Sequence, residues 1–91
     1  MIRIELIPDL SQCIEITAKK EYENTLRQIL ATEANEQLEE KTETLKLFLQ
    51  TADFKKLRAE SEQHLLTGKN VRFIIYLKGG ALKYDMRVED L

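Results

Sequence analysis

Two runs of strict alternation meet at a pair of glycines near the end of the chain, and no other pattern in it leaves so little choice of structure. Val71, Phe73, Ile75 and Leu77 alternate with Arg72, Ile74, Tyr76 and Lys78, and Leu82, Tyr84, Met86 and Val88 alternate with Lys83, Asp85, Arg87 and Glu89. Successive side chains of a strand point to opposite faces, so each run has one apolar face, and Gly79-Gly80 folds one run onto the other. A two-residue turn pairs Leu77 with Leu82, Ile75 with Tyr84, Phe73 with Met86 and Val71 with Val88, and sets Arg72 opposite Arg87. A four-residue loop, Gly79 to Leu82, shifts the pairing by two and brings Arg72 opposite Glu89. Turn chemistry favours the shorter connection and charge the longer.

Lysines on either side of the glycines invite a second reading, a loop that cradles phosphate. No helix follows them, however, and Lys83 falls on a strand where such a loop carries a helix-borne Lys-Ser/Thr. The turn is the better reading.

At the other end Ile2, Ile4 and Leu6 alternate with Arg3, Glu5 and Ile7, a strand buried on one face. Pro8-Asp9 stops it, and Pro8 to Gln12 reads as a loop. Cys13 to Thr17, with Ile14 and Ile16 on one side, reads as a second short strand, which makes an N-terminal hairpin. Thr17 then suits a helix N-cap, and Tyr22, Leu26, Ile29 and Leu30 form the helix's apolar stripe.

Between Asp9 and Thr67 there is neither glycine nor proline, so helix boundaries there rest on weak signals. Either the helix breaks between Thr32 and Asn35 and a second runs to about Thr51, with Leu38, Leu45, Phe48 and Leu49 inward, or one long helix carries a thin seam through Leu30, Ala34, Leu38, Leu45 and Leu49. The long helix needs a coiled-coil partner; a compact domain favours the break. A further helix starts at Thr51 or Asp53, buries Phe54, Leu57, Ser61 and Leu65, and stops at Gly68. Helices between two hairpins predict a single α+β domain over residues 1–91: a four-stranded, mainly antiparallel sheet with two or three helices on one face.

Composition excludes several functions. The chain has 91 residues, 33% of them charged, with a net charge of -2. The longest apolar run, Phe73 to Leu77, is far short of the ~20 residues of a membrane helix, and Met1 to Leu6 lacks the order of a secretion signal. We expect a cytosolic protein with no membrane contact. Cys13 and His64 are the single members of their kinds, so neither an intrachain disulfide nor the usual zinc site can form. Glu60 and His64 share a helical face but lack further ligands. We expect no metal and no cofactor, and a Cys13–His64 catalytic pair has no third group to orient it.

The charged residues leave three surfaces to weigh. Glu33, Glu36, Glu40 and Glu43 form an acidic stripe, most simply a solvated face. Lys19-Lys20 and Lys55-Lys56, with Arg58, fall in the first turns of two helices, where cations oppose the helix dipole and an anion would be held by free amides. The open face of the C-terminal hairpin carries Arg72, Ile74, Tyr76, Lys78, Lys83 and Arg87, interrupted by Asp85 and Glu89. RNA-binding sheets stack bases on exposed aromatics, but only Tyr76 is offered. Ile74, Tyr76 and Ile7 are more simply covered by another subunit. The sequence therefore points to a small non-enzymatic protein acting through protein contacts as a homodimer. The alternative is a nucleic acid or phosphate-ligand binder using Lys19, Lys20, Lys55, Lys56, Arg58, Arg72, Tyr76, Lys78, Lys83 and Arg87.

Overall fold

The computed structural model describes residues 2–33 and 35–90. Its elements are β1 (Ile4–Leu6), α1 (Ile14–Ala31), α2 (Glu36–Thr51), α3 (Phe54–Leu66), β2 (Asn70–Lys78) and β3 (Ala81–Glu89). The strands make one antiparallel sheet in the order β1-β2-β3. The helices cover one face, burying Ile4, Leu6, Val71, Phe73 and Ile75 against Ile14, Ala18, Leu45, Phe48 and Leu57.

The sheet has three strands, not the four of two hairpins, because Cys13 to Thr17 belongs to α1. Ile14 and Ile16 suit a strand by their spacing of two, but Ile14 and Ala18, four apart, are both fully buried while Ile16 is exposed. That is helical spacing. A tight turn ahead of it redirects the chain: the Asp9 carboxylate accepts the amides of Ser11 and Gln12 at 2.8 Å, and the Asp9 amide donates to the Gln12 carbonyl at 3.0 Å. β1 is thus free to pair with β2, Ile4 opposite Ile75 and Leu6 opposite Phe73.

Starting the helix at Ile14 changes three further readings. Thr17 is not a cap but lies inside α1, its hydroxyl donating to the Cys13 carbonyl at 2.9 Å, and Cys13 takes the N-cap position. Lys19 and Lys20 fall in the second turn instead of the first. The buried face also rotates. At 100° per residue Leu30 lies roughly 160° around the helix from Ile14, whereas Ala18 and Thr25 lie within about 40° of it. Thr25 is accordingly buried and Leu30 is 88% exposed.

The break between the first two helices is real, which overturns the single long helix. Asn35 caps α2, its side-chain oxygen accepting the Leu38 amide at 2.9 Å; Ala34, part of the seam weighed for a long helix, lies outside the described residues. Lys41 of α2 meets Glu21 of α1 at 2.6 Å, and Glu40 accepts the Ile2 amide at 2.6 Å, tying α2 to the start of the chain. One member of the acidic stripe therefore faces a partner within the fold.

Asp53 caps α3 by accepting the Lys56 amide at 3.2 Å. At the other end Lys69 and Gly68 donate to the carbonyls of His64 and Leu65, with Gly68 at φ 82°, the paired bonds of a Schellman stop. Phe54, Leu57, Ser61 and Leu65 all turn toward the core, Leu57 and Ser61 fully.

The C-terminal hairpin takes the two-residue turn. Gly79 and Gly80 have φ of 59° and 79°, the left-handed pair of a type I′ turn, and Val71, Phe73, Ile75 and Leu77 lie opposite Val88, Met86, Tyr84 and Leu82. Turn chemistry outweighed the charge pairing across the ladder.

Candidate interaction surface

Strand alternation divides the basic residues singled out in the sequence between two sides of the molecule. Lys19, Lys20, Lys55, Lys56 and Arg58 lie on helices, and Arg72, Tyr76, Lys78, Lys83 and Arg87 on the sheet face that no helix covers. The two groups do not form one surface.

On the helical side, the starts of α1 and α3 do meet. Cys13, Glu15, Phe54, Lys55, Arg58, Ala59 and Glu62 line a shared cleft. Acidic residues balance it: Arg58 donates to Glu62 at 2.8 Å, and Lys19 sits 3.9 Å from Glu15. The bond to Glu62, and then the charge of Glu62, raise the already high Arg58 pKa. His64 lines neither this cleft nor the adjoining one formed by Cys13, Ser61 and Leu65. Among the described residues no three His, Cys, Asp or Glu side chains converge as metal ligands would, and no helix is long and apolar enough to cross a membrane.

The open sheet face carries acidic residues among its basic ones. Register places Glu5 and Asp85 on either side of Ile74, and Lys83 opposite Tyr76. The Arg3 guanidinium lies over the Tyr76 ring, 4.7 Å from its centroid, a cation–π contact that occupies one face of this half-buried aromatic. Arg72 donates to Glu5 at 3.2 Å on one side and to Glu89 on the other. These long side chains leave Ile74 only 6% exposed although no helix lies over it. Of the apolar residues first read as a patch on this face, only Ile7 stays widely open, at 63%.

The least satisfied surface is the edge made by β3. Nine residues long and last in the strand order, it presents a row of backbone donors and acceptors that no strand among the described residues pairs with. β1, the opposite edge, is three residues long and is followed at once by Ile7 and Pro8, the kind of blunting that protects edges from pairing. β3 has no proline. Its apolar side faces the helices but is not fully covered by them: Tyr84 packs on Phe48 and Phe73, each ring centroid 6.3 Å away, yet remains 45% exposed, and Val88 is 36% exposed.

Sequence reasoning named Lys83 and Arg87 as parts of a basic face and treated Asp85 and Glu89 as interruptions. Their signal was the alternation of sign itself, which matters only once β3 is known to be an edge. Glu5 and Arg3 were passed over because their partners, Arg72 and Tyr76, lie near the far end of the chain.

A protein-family model matches residues 1–89, and the chain belongs to that family. No curated protein and no solved structure matches it.

Proposed function

We propose that this family member is a non-enzymatic protein of the cytosol that works through protein contacts, self-association first among them. The observation that carries this reading is the β3 edge: a nine-residue strand paired with β2 on one side and, among the described residues, with no strand on the other, beside partly exposed Tyr84 and Val88. Long, flat, uncovered edges recruit further strands, because every unpaired amide and carbonyl is a ready partner. The cytosol suits Cys13, the single cysteine, which stays a thiol where glutathione is reducing.

Binding of nucleic acid or a phosphate ligand is the second reading. Its support is the cleft where Lys55 and Arg58 meet the start of α1. Glu15 and Glu62 in the same cleft, and Glu5 and Glu89 bound to Arg72 on the sheet face, compete for cations that would otherwise neutralise phosphates and release their counterions. Sedimentation over a dilution series tests the first reading: we expect a monomer–dimer equilibrium, and a strict monomer at high concentration overturns it. Titration with labelled RNA and DNA at low salt tests the second.

A further inference from the structure

We propose that two copies of this chain join β3 to β3 in antiparallel register about a two-fold axis at Met86, giving one continuous six-stranded sheet. The proposal rests on the self-association reading and adds the symmetry and the register.

Backbone geometry comes first. The type I′ turn closes the hairpin with a Lys78–Ala81 pair, and such a turn carries its hydrogen bond between those two residues. Bonded and non-bonded pairs alternate along an antiparallel ladder, so Ala81, Lys83, Asp85, Arg87 and Glu89 bond to β2. The amides and carbonyls of Leu82, Tyr84, Met86 and Val88 then point away from the sheet, available to a second strand. A symmetric dimer uses one patch twice, and two identical edge strands related by a two-fold axis perpendicular to the sheet run antiparallel with like faces on the same side.

Charge selects among the registers. Lys83, Asp85, Arg87 and Glu89 alternate plus and minus on the open face. With the axis at Met86, Lys83 faces Glu89 of the second copy and Asp85 faces its Arg87, and both pairs occur twice. Glu89 binds Arg72 through Oε1, which leaves Oε2 for the incoming lysine. Moving the axis to Asp85 sets Asp85 against Asp85 and Lys83 against Arg87. Moving it to Arg87 sets Arg87 against Arg87 and Asp85 against Glu89. Axes at Tyr84 or Val88 keep opposite signs together but leave part of the charged row without a partner. Odd shifts oppose a charged face to an apolar one.

The other face agrees with the same register. Tyr84 lies across from Val88 of the second copy, again twice, and Met86 across from Met86. The two exposed large apolar residues of β3, Tyr84 and Val88, thereby cover each other at the rim of the helical layer. Aromatic and β-branched side chains make favourable cross-strand pairs.

Charge reversal tests the register. Asp85→Lys alone and Arg87→Asp alone each put two like-charge pairs in the homodimer, so each should sediment as a folded monomer where the wild type is dimeric, with unchanged circular dichroism. Mixed together, they restore both pairs and should form a one-to-one dimer. In a Cys13→Ser background, Met86→Cys should join two chains through a methylene-bridged thiol cross-linker. Tyr84→Cys should not, because its symmetry mates stand about 14 Å apart along the strand. If the wild type dimerises but the reversals leave it dimeric, or Tyr84→Cys cross-links and Met86→Cys does not, this register is wrong and self-association stands. A wild type monomeric at every concentration removes both.

Discussion

Arg72 stands directly across the ladder from Arg87, yet its guanidinium donates diagonally to Glu89 on β3 and to Glu5 on β1. One side chain on the central strand thus ties both edge strands. The like-charge pair that argued against the short turn is relieved by carboxylates one step along the neighbouring strands. Their effect on Arg72 is to raise its pKa, the bond to Glu89 most, then its charge.

Arg72→Ala should lower the thermal midpoint and raise the exposure of Ile74. Because the pairs are at the surface, the difference from wild type should shrink as salt is raised. Melting curves at low and high ionic strength measure it, and a difference indifferent to salt would show that packing over Ile74, not charge, is what Arg72 supplies.

The turn predicts a sharp distinction between side chains. A Cβ at Gly79 meets nothing within 4 Å, but φ there is 59°. Backbone strain alone then decides the cost. Gly79→Val should destabilise by about 1–2 kcal/mol, while Gly79→Asn, which reproduces the favoured Asn-Gly pair, should be close to neutral. Urea unfolding separates the two.

Thr25 and Thr44 are buried hydroxyls that donate within their own helices, to the carbonyls of Glu21 at 2.8 Å and Glu40 at 2.7 Å. Valine has nearly the same shape, and those carbonyls can still accept the helix's own amides. Thr25→Val and Thr44→Val should therefore change stability by less than ~1 kcal/mol. Phe48→Ala, by contrast, empties the centre of the core and the ring contacts with Phe54 and Tyr84, and should cost about 3–5 kcal/mol.

Acid should loosen the turn before α1. The Asp9 carboxyl is held below its ordinary value of 3.8, first by the Ser11 hydroxyl and then by the amides of Gln12 and Ser11. A carboxyl whose pKa is lowered in the folded state lends stability above its unfolded pKa and loses it as pH falls through the folded one. Amide exchange at Ser11 and Gln12 should speed up below about pH 4, relative to the core. In Asp9→Asn that pH dependence should be gone.

Much of the fold was legible because some signals are local. The C-terminal hairpin with its apolar face, the Gly68 stop and the inward stripe of α3 each depend on residues within a few turns or one hairpin, and the structure follows them; the hairpin's register stayed open, because turn chemistry and cross-strand charge favour different connections. Cys13 to Thr17 was not legible in this way. Five residues with isoleucines two apart fit a strand and a helix equally well, and what decided between them was Ala18 and Thr25 continuing the face that Ile14 begins. The α1 stripe was misjudged for the same reason, since Leu26 and Leu30 are spaced as core residues but lie on the wrong side once Ile14 sets the phase.

The amino-acid order alone determined the hairpin and its apolar face, the Gly68 stop of α3, and, with one cysteine and one histidine, the lack of material for an intrachain disulfide or a Cys/His zinc site. These follow from backbone angles, side-chain periodicity and residue counts, which need no neighbour from elsewhere in the chain. Tertiary structure decided that β1 pairs with β2, that β3 is left as the open edge, and that Arg72 spends its charge on Glu5 and Glu89. Those are pairings over long sequence separation, chosen by which apolar faces close over one another, and no local pattern records them.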